Sequence, residues 1–122
     1  MDRRIESAIE IVRERFPEAS LSVTNVALRV SLSRSRLEHL LRQETGQTFR
    51  QYVRDLRLAE GKRLLRDGNL QVKEVAFRVG YSSSSAFVRA FRRGSGLTPS
   101  IYGRQRPAAD ERRRDLAHSA NK

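Results

Sequence analysis

The segment from Val23 to Ser33 recurs from Val72 to Ser82 at an offset of 49 residues. The pairs Val23/Val72, Val26/Val75, Ala27/Ala76, Arg29/Arg78, Val30/Val79 and Ser33/Ser82 are identical. With one residue inserted the offset becomes 50, and Arg42, Gly46, Thr48 and Tyr52 then fall on Arg92, Gly96, Thr98 and Tyr102. Two copies are too few for a solenoid, which needs about three repeats to bury a continuous core. A chain of 122 residues has room for one domain or two very small ones. The repeat therefore confines the fold to two copies of one small unit and whatever connects them.

Each copy reads as helix, tight turn, helix. In the first, Ser22 is a plausible N-cap, and Val23, Val26, Ala27 and Val30 follow at i, i+3, i+4 and i+7, one face of a short helix. Ser31-Leu32 breaks it. Ser33 can cap a second helix with Leu37, Leu40 and Leu41 as its inner stripe and Gly46 as the left-handed residue that ends it. Its outer face carries Arg34, Ser35, Glu38, His39 and Arg42. In the second copy Val72, Val75, Ala76 and Val79 repeat the first helix, Gly80-Tyr81 makes the turn, and Ser82 is expected to cap the next helix. That helix places Ala86, Phe87, Ala90 and Phe91 inside and Ser84, Ser85, Val88, Arg89 and Arg92 outside. Phe87 and Phe91 lie on the apolar face, which makes them core residues rather than stacking platforms.

The rest of the chain is helical too. Phe49, Tyr52, Val53, Leu56, Leu64 and Leu65 recur at helical spacing behind Thr48 as cap, with Asp67-Gly68 as stop. Such a helix of about 18 residues is roughly 27 Å long, close to one turn of duplex DNA at about 34 Å. Arg3 to Arg15 reads as an amphipathic helix with Ile5, Ala8, Ile9 and Val12 on one face, closed by Phe16-Pro17. Thr98-Pro99 opens a short last helix through Ile101 and Tyr102. The expected organisation is thus all-α: residues 1–48 as N-terminal helix plus first unit, 49–67 as linker helix, 68–106 as second unit plus final helix, and 107–122 as a flexible tail.

Charge narrows the function. Lys and Arg number 25 against 14 Asp and Glu, a net +11. Residues 1–20 carry four cations and five anions, residues 107–122 carry four and three, and residues 21–106 carry seventeen and six. The excess belongs wholly to the repeated region, and 22 of the cations are Arg, whose planar fork suits phosphate and base edges. There is no Cys, so no disulfide, thiolate nucleophile or Cys-based metal site. His39 and His118 do not make a metal centre by themselves, and neither they nor the scattered serines supply a catalytic constellation; no enzyme activity and no cofactor is expected. Apolar runs are far shorter than the 18 or so residues that span a bilayer, and the helices lack the bulky apolar anchors of a membrane-surface module. A cytoplasmic protein follows.

A short helix crossing a second one through a tight turn, with small polar and charged residues facing outward, is the layout of a helix-turn-helix. The stretch from Glu74 through Tyr102, with Gly80-Tyr81-Ser82, Phe87, Phe91, Arg92 and Leu97-Thr98-Pro99, resembles the signature of the AraC/XylS family of bacterial transcription regulators. The first half is similar through Leu37, Thr45-Gly46, Tyr52-Val53, Arg57-Leu58 and Leu64-Leu65. Ser95, where the family usually has an aromatic residue, Gly61, where Ala is usual, and Gly103, where Arg is common, depart from it. The resemblance implies seven helices with two helix-turn-helix units, and a protein that activates or represses promoters by binding double-stranded DNA in the bacterial nucleoid, with RNA polymerase as a possible partner. By position it implies base contacts for Ser35, Glu38 and His39 in the first recognition helix and for Ser84, Ser85, Val88 and Arg89 in the second. Glu38 can accept from a cytosine amino group, His39 can donate to guanine or bind phosphate, and Arg89 can grip guanine with two bonds or clamp a phosphate. Ser33, Arg36, Arg42, Ser82 and Arg92 are the phosphate candidates. A monomer with two recognition helices in successive major grooves is the expected arrangement. The alternatives are the DNA-binding fragment of a longer effector-responsive regulator, or a basic helical protein that binds nucleic acid without sequence preference.

Overall fold

The computed structural model describes residues 2–105; the tail expected over 107–122 lies outside them. Seven helices follow in order: α1 (Arg3–Arg15), α2 (Val23–Arg29), α3 (Arg34–Thr45), α4 (Phe49–Asp67), α5 (Val72–Arg78), α6 (Ser84–Ser95) and α7 (Pro99–Arg104). The described residues form no strand.

Local chemistry sets the helix ends. Oxygen atoms of Asp2, Ser22, Ser33, Thr48 and Thr98 accept from backbone N–H groups in the first turns of α1, α2, α3, α4 and α7. Such caps satisfy amides that have no partner inside the helix. At α4 the cap is reciprocal, because Gln51 Oε1 also accepts from Thr48 N at 3.0 Å. Gly46, Gly68 and Gly96 end α3, α4 and α6 in the left-handed conformation.

The two turns close alike. Leu32 N donates to Ala27 O and Tyr81 N to Ala76 O, both at 3.0 Å, across Ser31 (φ 58°) and Gly80 (φ 110°). These are the long bonds of a Schellman closure, which requires a left-handed residue between its partners. The recognition helices also end alike: Thr45 Oγ1 donates to Leu41 O and Ser95 Oγ to Phe91 O, at 2.7 and 2.8 Å. Ser95, a departure from the family pattern, repeats the bond made by Thr45 in the first unit.

One cap differs from expectation. Ser83, not Ser82, precedes α6, and its Oγ accepts from Ala86 N at 3.1 Å as Ser33 Oγ does from Arg36 N. Tyr81 N is committed to Ala76 O, so the inserted residue is accommodated after the turn and the cap moves one position along. The counterpart of Ser33 is therefore Ser83, at an offset of 50.

Burial divides the molecule in two. Ile5, Ala8, Val12, Val26, Ala27, Val30, Leu32, Leu37, Leu40, Leu41, Phe49 and Val53 form one core, and Leu58, Leu65, Val75, Ala76, Val79, Phe87 and Phe91 form another. Helix α4 serves both. At about 100° per residue, Phe49 and Val53 point to one side, whereas Leu58, Gly61 and Leu65, all buried, point to nearly the opposite side. The linker thus carries two half-length stripes, not the single stripe its periodicity suggests, because it joins units packed on opposite faces. Phe87 and Phe91 are fully buried, with ring centroids 5.6 Å apart in an edge arrangement. Ala86 and Ala90, expected inside, are only partly buried.

Candidate nucleic-acid interface

The first candidate surface is the outer face of α3. Packing of Leu37, Leu40 and Leu41 into the first core turns Arg34, Ser35, His39 and Arg42 to solvent. Ser33 and Arg36, at the start of the helix, are exposed as well. Glu38 is half-buried, and its Oε2 accepts from Phe49 N at 3.2 Å. One oxygen of the expected base reader is therefore engaged in holding the first amide of α4. Arg36 sits close enough to Asp2 for its charge to contribute to that carboxyl's lowered pKa, which is held down first by the 2.8 Å bond accepted from Arg4 N.

The second surface is the outer face of α6. Ser85, Arg89 and Arg92 are exposed, while Ser84 and Val88 are half-buried. Ser82 is exposed and lies before the cap. An offset of 50 pairs Ser35 with Ser85, Glu38 with Val88, His39 with Arg89 and Arg42 with Arg92. The two units thus present matched positions with different chemistry. Among the described residues Arg34, Arg42, Arg89 and Arg92 have no carboxylate within 4.0 Å. Their charge is left uncompensated, the condition for attracting a polyanion.

Beside the second surface, between α6 and the first half of α4, lies a cleft of about 860 Å³ that the sequence did not announce. The start of α2 (Ser22, Val23), the first half of α4 (Arg50, Arg54, Arg57) and α6 (Ala86, Arg89, Ala90, Arg93) line it. Arg54 is paired with Asp55 at 3.3 Å, whereas Arg50 and Arg93 are exposed and have no carboxylate partner among the described residues. The small side chains of Ala86 and Ala90 keep the α6 wall open. Arg93 could have been found from its spacing, one turn beyond Arg89 and two beyond Ala86. Arg50 and Arg54 carried no signal of their own, because the side of α4 they face depends on how the second unit docks. Groups of three or more potential metal ligands are absent among the described residues, and no described helix is long and apolar enough to cross a membrane.

Comparison with known proteins agrees with this geometry. A helix-turn-helix domain family model matches residues 26–105. The chain is 30% identical over 117 residues to the arabinose operon regulatory protein of Escherichia coli K12, covering 96% of this chain and 39% of that protein. It therefore spans about two-fifths of the length of that regulator. Among solved structures, the C-terminal domain of AraT, a response regulator from Geobacillus stearothermophilus, superposes with a TM-score of 0.83 at 28% identity, covering 86% of this chain and 87% of that one. The DNA-binding domain of AdpA, a global transcriptional factor solved in complex with a target DNA, gives 0.78 at 30% identity, covering 91% and 96%. With two helix-turn-helix units joined by α4, and with these relatives in sequence and structure, the chain belongs to the AraC/XylS family of helix-turn-helix transcription regulators.

Proposed function

We propose that this chain is a sequence-specific double-stranded DNA-binding transcription regulator that seats α3 and α6 in successive major grooves on one face of the duplex. The observation that carries the reading is the pair of repeated units, each presenting an outward helix with uncompensated arginines, at the two ends of a helix of 19 residues. At 1.5 Å per residue α4 is about 28 Å long, so modules at its ends match the spacing of grooves one turn apart. Ser35, Glu38 and His39 on α3, and Ser84, Ser85, Val88 and Arg89 on α6, are the base-reading positions. Ser33, Arg36, Arg42, Ser82 and Arg92 touch phosphates, joined by Ser83 and by Arg50, Arg54 and Arg93, which surround the strand where it crosses the cleft. The short serines of α6 leave the second unit to read shape and backbone more than base edges.

The functional divisions on this reading are 1–48, 49–67 and 68–106. The protein acts as a monomer on the nucleoid, in the cytoplasm, with no catalytic step, and RNA polymerase is its second partner. Selection from a random duplex library followed by footprinting tests it: an asymmetric site of about 20 bp with two protected grooves on one face is expected. One protected groove, or no enriched sequence, overturns it.

A second reading has an observation of its own. The chain corresponds to 39% of the arabinose operon regulatory protein, which fits the DNA-binding part of a longer effector-responsive regulator. Sequencing of the genomic reading frame around this segment decides between them.

A further inference from the structure

The two cores share no buried side chain, and the helix pairs that pack most closely are internal to one unit or involve α4. Apart from α4 itself, a polar node joins the two units. Arg57, half-buried and located between the last α4 residue of the first core (Val53) and the first of the second (Leu58), reaches back to the loop after α1. Its Nε donates to Phe16 O at 2.8 Å and an Nη to Glu18 O at 2.9 Å. On its other side the guanidinium lies 5.6 Å from the ring centre of Tyr81, in the turn of the second unit. Tyr81 in turn packs on Phe87 of α6, with ring centroids 5.5 Å apart.

The fit around this node is close. A Cβ built on Gly80 would stand 2.7 Å from both Arg57 Nε and Phe16 O, so only glycine lets the second turn approach the end of the first unit's α1. Among the described residues no ion pair engages Arg57. Burial pushes its pKa down, with no carboxylate to compensate. A long cation held partly out of water by two carbonyls and a ring face, with no acid beside it, is costly for stability alone. It is well suited to specifying one geometry, because the planar fork satisfies both carbonyls only at a single orientation.

We propose that Arg57 is a positioning residue that latches the first unit to the turn of the second and thereby sets which half-site spacing the two recognition helices accept. This rests on the two-groove reading above. Binding both grooves at once benefits from the second contact being intramolecular, and that benefit is lost when the geometry is wrong or loose. A latch at Arg57 makes one spacing favourable and others unfavourable without touching a base.

The test uses the whole chain. The site selected by the wild type is resynthesised with one base pair added or removed between its halves, each step rotating the second groove by about 35°, and as isolated half-sites. The wild type should lose about tenfold or more on the shifted sites. Arg57→Ala should weaken binding to the selected site about tenfold, bind shifted sites as well as the selected one, and leave half-site affinity unchanged. Arg57→Lys, able to reach one carbonyl, should fall between. Should Arg57→Ala fail to fold, Tyr81→Leu removes the ring side of the latch and is held to the same comparison. An unchanged spacing profile in the altered protein overturns the latch and leaves the two-groove reading standing. Equal losses on half-sites and full sites show Arg57 to be fold support and likewise overturn it. If the wild type selects no two-part site, the two-groove reading falls and takes the latch with it.

Discussion

Gly61 shows how one residue's effect is decided by its neighbour. A glycine inside α4 costs about 1 kcal/mol relative to alanine from propensity, so Gly61→Ala looks stabilising on paper. A Cβ there would lie 3.1 Å from two ring atoms of Phe87, which is fully buried between Tyr81 and Phe91. Overpacking costs about 1–3 kcal/mol, so Gly61→Ala should lower stability by about 1 kcal/mol in urea denaturation. Combining it with Phe87→Leu should lose about 1 kcal/mol less than the sum of the two single changes. Glu38 has a comparable double character. Glu38→Ala should cost about 1 kcal/mol by releasing Phe49 N, whereas Glu38→Gln keeps an acceptor there; both should relax preference at the same base position. His39→Ala should relax preference by about 1–3 kcal/mol at one position. Arg92→Ala should weaken all sequences alike, and a base-selective loss in a library assay would move Arg92 to the base-reading set. The exposure of His39 was legible because a helix with three leucines on one face has only one other face to offer. The bond from Phe49 to Glu38 was not, since it joins residues of two helices whose crossing no periodicity describes.

At the level of elements, every described helix was legible in outline from its apolar spacing, supported by a capping hydroxyl in α2, α3, α4 and α7 and by a terminal glycine in α3, α4 and α6. The start of α6 was the exception. Ser82, Ser83, Ser84 and Ser85 have equal capping chemistry, and the choice among them is made by the hydrogen bond that closes the preceding turn. Ser83→Ala should therefore destabilise the protein by about 1 kcal/mol, while Ser82→Ala stays within about 0.5 kcal/mol of the wild type. The reverse order in thermal melts would restore Ser82 as the cap. The start of α1 depends on pH. Asp2 has its pKa lowered, chiefly by the bond from Arg4 N. The cap is thus strongest above the ordinary carboxylate range and is lost as pH falls through the depressed value. Asp2→Asn, which still caps, should flatten this acid dependence below the ordinary carboxylate range. Because Asp2 is partly exposed at the end of α1, the effect should appear in amide exchange of the first turn rather than in global melting.

For the whole molecule, the net charge of +11 acquires a place. The excess sits in the two repeated units and α4, and several of its arginines line the cleft between α4 and α6. If about six phosphates are neutralised, log K should fall against log salt with a slope near −5. Replacing Arg50 or Arg93 by Ala should reduce the magnitude of that slope by about 1 while leaving base preference intact. A slope that does not change would remove the cleft from the interface.

The sequence by itself determined the number of units, the helices within them, the faces they bury and the sign of the surface they present. The helices and their faces are set by residues within one or two helical turns of one another, and the number of units by the recurrence of such a segment 49 residues on. Tertiary structure alone decided the split of α4 into two opposed stripes, the cleft lined by Arg50, Arg54 and Arg93, and the meeting of Arg57, Phe16 and Gly80. Those features join residues up to about sixty positions apart along the chain. They follow from the angle at which two separately packed cores meet, a quantity that local spacing does not encode.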